Sequence, residues 1–263
     1  MIGFAELKHA FDELDLGDAA VIAHASMKKF DTIRGAAKTL IQAMVSSFSG
    51  VIMPTFTYKT MITPEVGPPN NGIKYGSKKD LNKMAEPFRI DMPPDKMMGI
   101  VPLALLRQKG VLRTSHPILS FAGIQADEIL LAQTLFDPLA PIRELGEKEG
   151  WVVLINLDHS VNTSIHYGEK LAGRGQFVRW AMTPWRIVEC TGFPGDSSGF
   201  NAIEEYIKPN TRRVDMDNGA FIQAVRVQRV LDATVEMIKR DPLALLCKRE
   251  DCERCNAVRN SWG

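Results

Sequence analysis

The sequence predicts one α/β domain. Short apolar runs rich in β-branched residues, such as residues 51–54 and 151–155, predict buried strands. Stretches with one apolar face at helical spacing, such as residues 3–14, 36–48 and 227–239, predict the helices between them. Because no repeat, linker or low-complexity tract divides the 263 residues, we expect these elements to share a core.

The remaining elements follow along the chain. Further strands are expected at residues 19–23, 118–123, 177–182, 185–190, 212–215 and 220–224, the last four as two hairpins. Further helices are expected at residues 98–108, 127–136, 141–148 and 200–206. Residues 59–96 are rich in proline and glycine and lack periodicity, but their aromatic and apolar residues favour an ordered flap.

The composition narrows the class of partner. A hydrophobic content of 45% and a charged content of 24% are ordinary for a globular enzyme. The net charge of +1 gives no electrostatic reason to expect nucleic acid or an anionic membrane as partner. No apolar run approaches the roughly 20 residues that span a bilayer, and the acidic, amphipathic N-terminus is unlike a signal peptide. We therefore expect a cytoplasmic protein that binds a small molecule.

Residues 151–171 predict a functional site. An apolar strand runs into a polar turn that contains Asp158, and a helix restarts where Asn162 or Thr163 can cap it. On that helix His166 and Glu169 are three residues apart and therefore share one side. Ligands commonly bind at this end of an α/β sheet.

Two other regions have chemistry of their own. Gly35 opens a helix and has Lys28, Lys29, Arg34 and Lys38 near it in sequence, an arrangement that can bind phosphate through free amides and the helix dipole. A plain turn with solvated lysines is the alternative. The carboxylates of the flap, Asp91 among them, are either surface charges or contacts for a cationic substrate.

Several segments together resemble the aminoglycoside 3-N-acetyltransferase family. They are residues 24–26, 35–36, 53–57, 98–99, 115–123 and 158–169, and their order and spacing match from about residue 5 to 240. The most specific segment contains Asn162, Thr163, Ser164 and His166. The resemblance implies one three-layer α/β/α domain with a mixed central sheet at residues 1–240. A cysteine-containing tail at residues 241–263 follows this domain.

The resemblance also implies acetyl-coenzyme A as co-substrate. It places the phosphates near Lys28, Lys29 and Gly35. It places the pantetheine arm along the other expected cofactor residues, which are His24, Ser26, Thr55, Phe56 and Thr57. The sequence departs from the family at Ala25, where a hydroxyl residue is usual, in the flap and in the cysteine tail. The resemblance therefore predicts the cofactor and the reaction better than it predicts the substrate.

The expected reaction needs a base, because an ammonium cannot attack a thioester. Histidine suits this task near neutral pH, and His166 is the expected base. Asp158 or Glu169 would orient its ring, and the residues alone do not decide between them. Thr163 either donates to the oxyanion or only caps its helix, and His116 either contacts the substrate or supports a loop. His9 and His159 are expected at the surface or in a turn.

The tail predicts either a structural zinc site or free thiols. Cys247, Cys252 and Cys255 lie within nine residues, and Cys190 is the expected fourth ligand. A catalytic zinc is not expected, because no two histidines have ligand spacing.

The expected function is acetyl transfer from acetyl-coenzyme A to an amine of an aminoglycoside or related compound by direct attack. The alternatives are a metal-dependent hydrolase that uses the tail and His166, and a non-catalytic homologue that binds coenzyme A.

Overall fold

The structure, a computed structural model, describes residues 3–30, 35–77 and 79–261. In this part of the chain, the strands are Ala20–Ala25 (β1), Gly50–Pro54 (β2), Met61–Ile62 (β3), Leu112–Arg113 (β4), Phe121–Ile124 (β5), Trp151–Ile155 (β6), Phe177–Met182 (β7), Ile187–Phe193 (β8), Arg212–Asp215 (β9) and Phe221–Arg226 (β10). The helices are Phe4–Glu13 (α1), Ala36–Ser47 (α2), Lys79–Lys83 (α3), Ile100–Leu105 (α4), Asp127–Leu131 (α5), Ala140–Glu147 (α6), Ser164–Leu171 (α7), Glu204–Ile207 (α8), Val227–Arg240 (α9) and Glu253–Asn260 (α10).

The main sheet is mixed, as expected. Its seven strands run in the order β4-β5-β2-β1-β6-β10-β9. The three central strands are parallel, with Val21 opposite Val51 on one side and opposite Trp151 on the other. The outer pairs are antiparallel. Central parallel strands are covered on both faces, which explains their continuous apolar runs.

Two separate apolar cores confirm the three layers. Along β1, Val21 and Ala23 face one core while Ile22 faces the other, because successive side chains of a strand point to opposite faces. One core holds apolar residues of α1, α2 and α4. The opposite core holds those of α5, α6, α7 and α9. Helices therefore cover both faces of the sheet.

A second, three-stranded antiparallel sheet was not expected. It joins β3 of the flap to the hairpin β7–β8. The predicted hairpin is present, but β8 begins at Ile187 instead of residue 185, and Trp185 lies in its turn with 91% of its surface exposed. The flap is therefore attached to the body by strand pairing.

Other predicted boundaries shift where the chain turns. The helix expected at 98–108 is interrupted at Gly99, which has a φ of +80°, so α4 begins at Ile100. The strand expected from residue 118 begins at Phe121, and α5 ends at Leu131. No helix of the described residues is long and apolar enough to cross a membrane.

The tail packs against the rest of the chain. Leu245, Ala257 and Val258 belong to the core that also contains α7 and α9. Arg174 donates hydrogen bonds to the carbonyls of Pro242 and Ala244, each at 2.8 Å. The tail at 241–261 is thus held by apolar contacts and by hydrogen bonds from the Arg174 side chain to its carbonyls.

Candidate active site

A cleft of about 1120 Å³ opens at the carboxyl ends of the three parallel strands. Ser26 follows β1, Phe56 follows β2 and Leu157 follows β6, and all three line it. Parallel strands end at the same edge of a sheet, so residues distant in sequence converge there. The flap, the loop at 193–197 and the tail at 249–254 form the other walls.

His166 lies in the wall of this cleft and is held by a buried carboxylate. Its Nδ1 lies 2.7 Å from Oε2 of Glu169, a residue that is 1% exposed. The His166 ring also packs edge-to-face with Phe200, with ring centroids 4.6 Å apart. Since a carboxylate accepts hydrogen bonds, Nδ1 carries the hydrogen of this contact, and in the neutral ring Nε2 is then the nitrogen with a free lone pair.

Glu169 has a second partner that the sequence reading missed. Arg174 donates from Nη1 to Oε1 of Glu169 at 2.5 Å, and both side chains are almost completely buried. The helix end explains the contact: the N–H of Gly173 donates to the carbonyl of Lys170, and the N–H of Arg174 donates to the carbonyl of Glu169. This Schellman arrangement, with Gly173 at a φ of +83°, turns Arg174 back towards Glu169. In the sequence, a glycine followed by an arginine at the end of the helix was the signal that could have indicated this contact.

Asp158, the other carboxylate considered, lies elsewhere. Its side chain is exposed and accepts hydrogen bonds from the amide and hydroxyl of Ser160. It thereby caps its own turn, whereas Glu169 contacts His166. Of the two carboxylates, Glu169 is therefore the one that contacts the His166 ring.

Thr163 lines the cleft at the start of α7 and makes no helix-capping hydrogen bond with its side chain. Asn162 caps the helix instead, because its Oδ1 accepts from the amide of Ser164 at 3.1 Å.

A glycine in α7 fixes the position of this helix. A Cβ on Gly168 would lie 2.6 Å from Cβ of Thr234, so α7 approaches α9 more closely than another residue would allow.

Four of the expected cofactor residues line the cleft, namely His24, Ser26, Lys28 and Phe56. Burial, and then the nearby His159, lowers the pKa of His24 from 6.5 to about 3, so this ring is neutral. His159, expected at the surface or in a turn, begins a short 3₁₀ helix at residues 159–161 and is buried.

Other expected cofactor residues have different surroundings. Lys29 donates to the carbonyl of Gly219 and lies over the ring of Phe221. The hydroxyls of Thr55 and Thr57 are buried and donate to the carbonyls of Ser120 and Pro117. None of these three is among the described residues that line the cleft.

Gly35 opens α2 with a φ of +70°, as expected, and is exposed away from the described cleft lining. Lys38 is exposed on the same helix. Arg34 lies outside the described residues.

The two expected substrate contacts are also absent from the described cleft lining. His116 supports a loop: its Nδ1 accepts from the amides of Ile118 and Leu119, and burial lowers its pKa from 6.5 to about 4. Asp91 is exposed and pairs with Arg89 at 3.4 Å.

The cysteines divide into two groups. Cys247, Cys252 and Cys255 cluster together, and Asp196 joins them within 4.8 Å. Cys190 instead lies on β8 in the large core, where burial raises its pKa to about 12. The expected fourth ligand is therefore held apart from the other three by its position in the sheet.

Much of the cleft wall was not predicted from the sequence. Methionines of the flap side, including Met61, Met84 and Met98, and arginines such as Arg179 and Arg254 line it. These residues have no common spacing along the chain, so no motif could have found them.

Comparison with known proteins identifies the family of this chain. The family model for aminoglycoside 3-N-acetyltransferase matches residues 22–239. The chain belongs to the aminoglycoside 3-N-acetyltransferase family. A member from Salmonella, aminoglycoside N(3)-acetyltransferase IV, is 25% identical over 171 residues, which cover 61% of this chain. The match spans 65% of that enzyme's length.

Several solved structures share the fold. The aminoglycoside acetyltransferase AAC(3)-IVa apoenzyme aligns with a TM-score of 0.76 and 23% identity, covering 98% of this chain and 97% of that one. YokD from Bacillus subtilis aligns with a TM-score of 0.78 and 17% identity, covering 91% and 94%. AAC-IIIb, in a binary structure with coenzyme A, aligns with a TM-score of 0.72 and 18% identity, covering 91% and 97%.

Proposed function

We propose that this protein transfers the acetyl group of acetyl-coenzyme A to an amine of an aminoglycoside or related amino compound. The observation that carries the proposal is the histidine–carboxylate pair at the cleft, with His166 Nδ1 2.7 Å from Glu169. A buried carboxylate fixes the ring tautomer and stabilises the imidazolium once it forms. Arg174 donates to the other oxygen of this carboxylate at 2.5 Å and holds it in place.

In the proposed reaction the nitrogen of the substrate amine attacks the thioester carbon. Nε2 of His166 takes a proton from that amine nitrogen as it attacks. The new C–N bond forms and, when the tetrahedral intermediate collapses, the C–S bond breaks. The proton then passes from His166 to the departing sulfur. Thr163, whose side chain caps no helix, and the nearby amides of α7 are the proposed donors to the oxyanion.

Acetyl-coenzyme A is the proposed co-substrate, and the AAC-IIIb structure with coenzyme A supports it. The cleft residues His24, Ser26, Lys28 and Phe56 are the proposed contacts. Lys28, which is exposed at the cleft, suits a phosphate. Lys29, Gly35, Thr55 and Thr57, which are placed elsewhere, are proposed to act indirectly, through the backbone that supports the cleft.

The proposed acceptor is an amine with several hydroxyl groups. Structures of family members contain a gentamicin, apramycin or sisomicin, which supports this class. The gentamicin complex was obtained with a histidine-to-alanine variant. We further propose that residues 1–240 form the acetyltransferase domain and that the protein is cytoplasmic.

We also propose that the three tail cysteines hold a structural zinc ion. A structural zinc site normally has four protein ligands and no position for a reacting water, so this ion would not support the alternative of metal-dependent hydrolysis.

Release of the coenzyme A thiol tests the proposed function. Wild-type protein is mixed with acetyl-coenzyme A and a panel of aminoglycosides and amino sugars, beside His166→Ala. General base catalysis contributes about 10²–10⁴-fold, so we expect the variant to lose at least a hundredfold in rate. Binding of acetyl-coenzyme A without thiol release from wild type would favour the non-catalytic alternative. Undiminished turnover by the variant would remove the role of His166.

A further inference from the structure

The cysteines of the tail meet an acidic side chain from a distant loop. The Sγ atoms of Cys247, Cys252 and Cys255 and a carboxylate oxygen of Asp196 lie within 4.8 Å of one another, and all four residues are buried. A tetrahedral zinc site with Zn–S bonds of about 2.3 Å has sulfur–sulfur edges of about 3.8 Å. Small side-chain rotations would bring the four atoms to these separations.

We propose that Cys247, Cys252, Cys255 and Asp196 bind one zinc ion, which fastens the tail to the loop at 193–199 in the cleft wall. Thiolates are soft ligands that select zinc over calcium or magnesium, and a carboxylate oxygen completes a four-coordinate site. This ligand set rests on the proposed presence of zinc in the tail and does not depend on acetyl transfer.

The charges near the site support this ligand set. Three thiolates, one carboxylate and a divalent ion carry a net charge of −2. Arg249 and Arg254 donate to Oδ2 of Asp196 at 3.0 and 3.2 Å and supply two positive charges. A carboxylate has about four lone-pair positions, so Asp196 can accept both guanidinium groups and still bind the ion. The cluster is therefore neutral overall when the ion is bound.

The backbone around the site is already close-packed. A Cβ on Gly199 would lie 2.5 Å from the carbonyl oxygens of Leu245 and Leu246, so the loop approaches the tail where only glycine fits. The amide of Cys247 also donates to Sγ of Cys255 at 3.4 Å. Amide-to-sulfur bonds stabilise the thiolate that binds metal and orient it. The loop and the tail thus hold their ligands together before the ion arrives.

The bound zinc ion would influence the cleft through the contacts of Arg254. This side chain donates to the carbonyl of Gly195 at 2.9 Å and lines the cleft. A Cβ on Gly72 of the flap would lie 2.9 Å from Cα of Arg254, so α10 also abuts the flap. A Cβ on Gly195 would lie 4.0 Å from Oε2 of Glu169. Loss of the ion would therefore loosen a wall that adjoins the His166–Glu169 pair.

Metal content tests the ligand set directly. The full-length chain is produced in zinc-supplemented medium, and bound metal is measured by mass spectrometry during competition with a chelator. We expect about one zinc per wild-type chain. Asp196→Asn keeps the size of the side chain but weakens coordination, and we expect at least a tenfold loss of zinc affinity. Cys190→Ser is the matched control and should retain wild-type affinity.

Hydrogen exchange supplies a readout of the proposed fastening. Removing zinc from wild-type protein should lower amide protection in α10 and in residues 193–199 together, while β1 and β6 stay protected. Circular dichroism shows whether Asp196→Asn remains folded. A wild-type chain without zinc, wild-type affinity in Asp196→Asn, or an equal loss in Cys190→Ser would each overturn the ligand set. Unchanged protection after zinc removal would overturn the fastening.

Discussion

Replacing Glu169 by glutamine keeps the shape of the side chain but removes the charge between His166 and Arg174. Glutamine has one oxygen and one NH₂ group, so it can accept from one neighbour only. If the oxygen faces Arg174, the NH₂ group donates to Nδ1 of His166. The ring hydrogen then moves to Nε2, and this nitrogen can no longer take a proton from the amine.

The expected loss follows from this change of tautomer. General base catalysis contributes about 10²–10⁴-fold, and Glu169→Gln removes most of it without removing the imidazole. We expect kcat to fall about 10³-fold, which is about 4 kcal/mol of transition-state stabilisation. Because the glutamine oxygen still accepts from Arg174, whose guanidinium is buried, we expect a smaller loss of stability of about 1–3 kcal/mol.

Steady-state thiol release, with thermal unfolding of the same samples, measures both effects. The KM for acetyl-coenzyme A should stay within about threefold, since Glu169 lies behind His166 and supports it. Asp158→Asn is the matched control, because this carboxylate is exposed and contacts its own turn. A folded Glu169→Gln enzyme with kcat within tenfold of wild type would refute the reasoning, and so would an equal loss in Asp158→Asn.

Three further predictions concern neighbouring features. Thr163→Val should lower kcat about 10²-fold with little change in unfolding temperature, since one oxyanion donor contributes about 3 kcal/mol; thiol release with unchanged kcat would exclude it as a donor. Gly168→Ala should destabilise by about 1–3 kcal/mol in urea unfolding because its Cβ would meet Thr234, whereas an unchanged midpoint would show that α7 can move. The pKa values of His24 and His116 are lowered from 6.5 to about 3 and about 4, so the folded protein binds fewer protons than the unfolded chain below pH 6.5. The contribution of the two neutral rings to the free energy of unfolding is therefore complete above pH 6.5. It decreases as the pH falls, by about 2 kcal/mol for each ring at pH 5. Urea titrations at pH 8 and pH 5 should show this loss, and a flat profile would contradict it.

A matched control exists for the glycine substitution. A Cβ on Gly146 in α6 would lie 3.4 Å from Cγ1 of Val227, which is ordinary contact. Gly146→Ala should therefore leave the free energy of unfolding unchanged or raise it by up to about 1 kcal/mol, because alanine favours helix.

For the pH effect, His116→Asn is the useful variant because it removes the ionisable ring. The side-chain oxygen of the asparagine can still accept from the two amides that donate to His116.

The central strands could be predicted from the sequence because they are buried on both faces. Continuous apolar runs such as residues 51–54 and 151–155 have few other environments, and the structure has strands there. The short strand Met61–Ile62 could not be predicted, because its two residues acquire strand geometry from pairing with Trp180 and Ala181. Pairing between distant segments leaves no local pattern.

The candidate site divides in the same way. The spacing of His166 and Glu169 is a local property of a helix, so the sequence indicated that they share a side. The contacts of Asp158 depend on a turn whose amide donates to its carboxylate. The directions of the Thr55 and Thr57 side chains depend on the carbonyls of a neighbouring loop. Side chains at strand ends can face the core or the cleft, and packing selects between them.

By itself, the sequence determined the layered α/β architecture, the family resemblance and the helix that presents His166, because each follows from short-range pattern. The tertiary structure decided that Glu169 is the partner of His166, that Arg174 completes the buried pair and that Asp196 joins the tail cysteines while Cys190 stays in the core. Asp196 precedes Cys247 by 51 residues in the chain. Contacts over such separations depend on how the loops pack, and no spacing in the sequence encodes them.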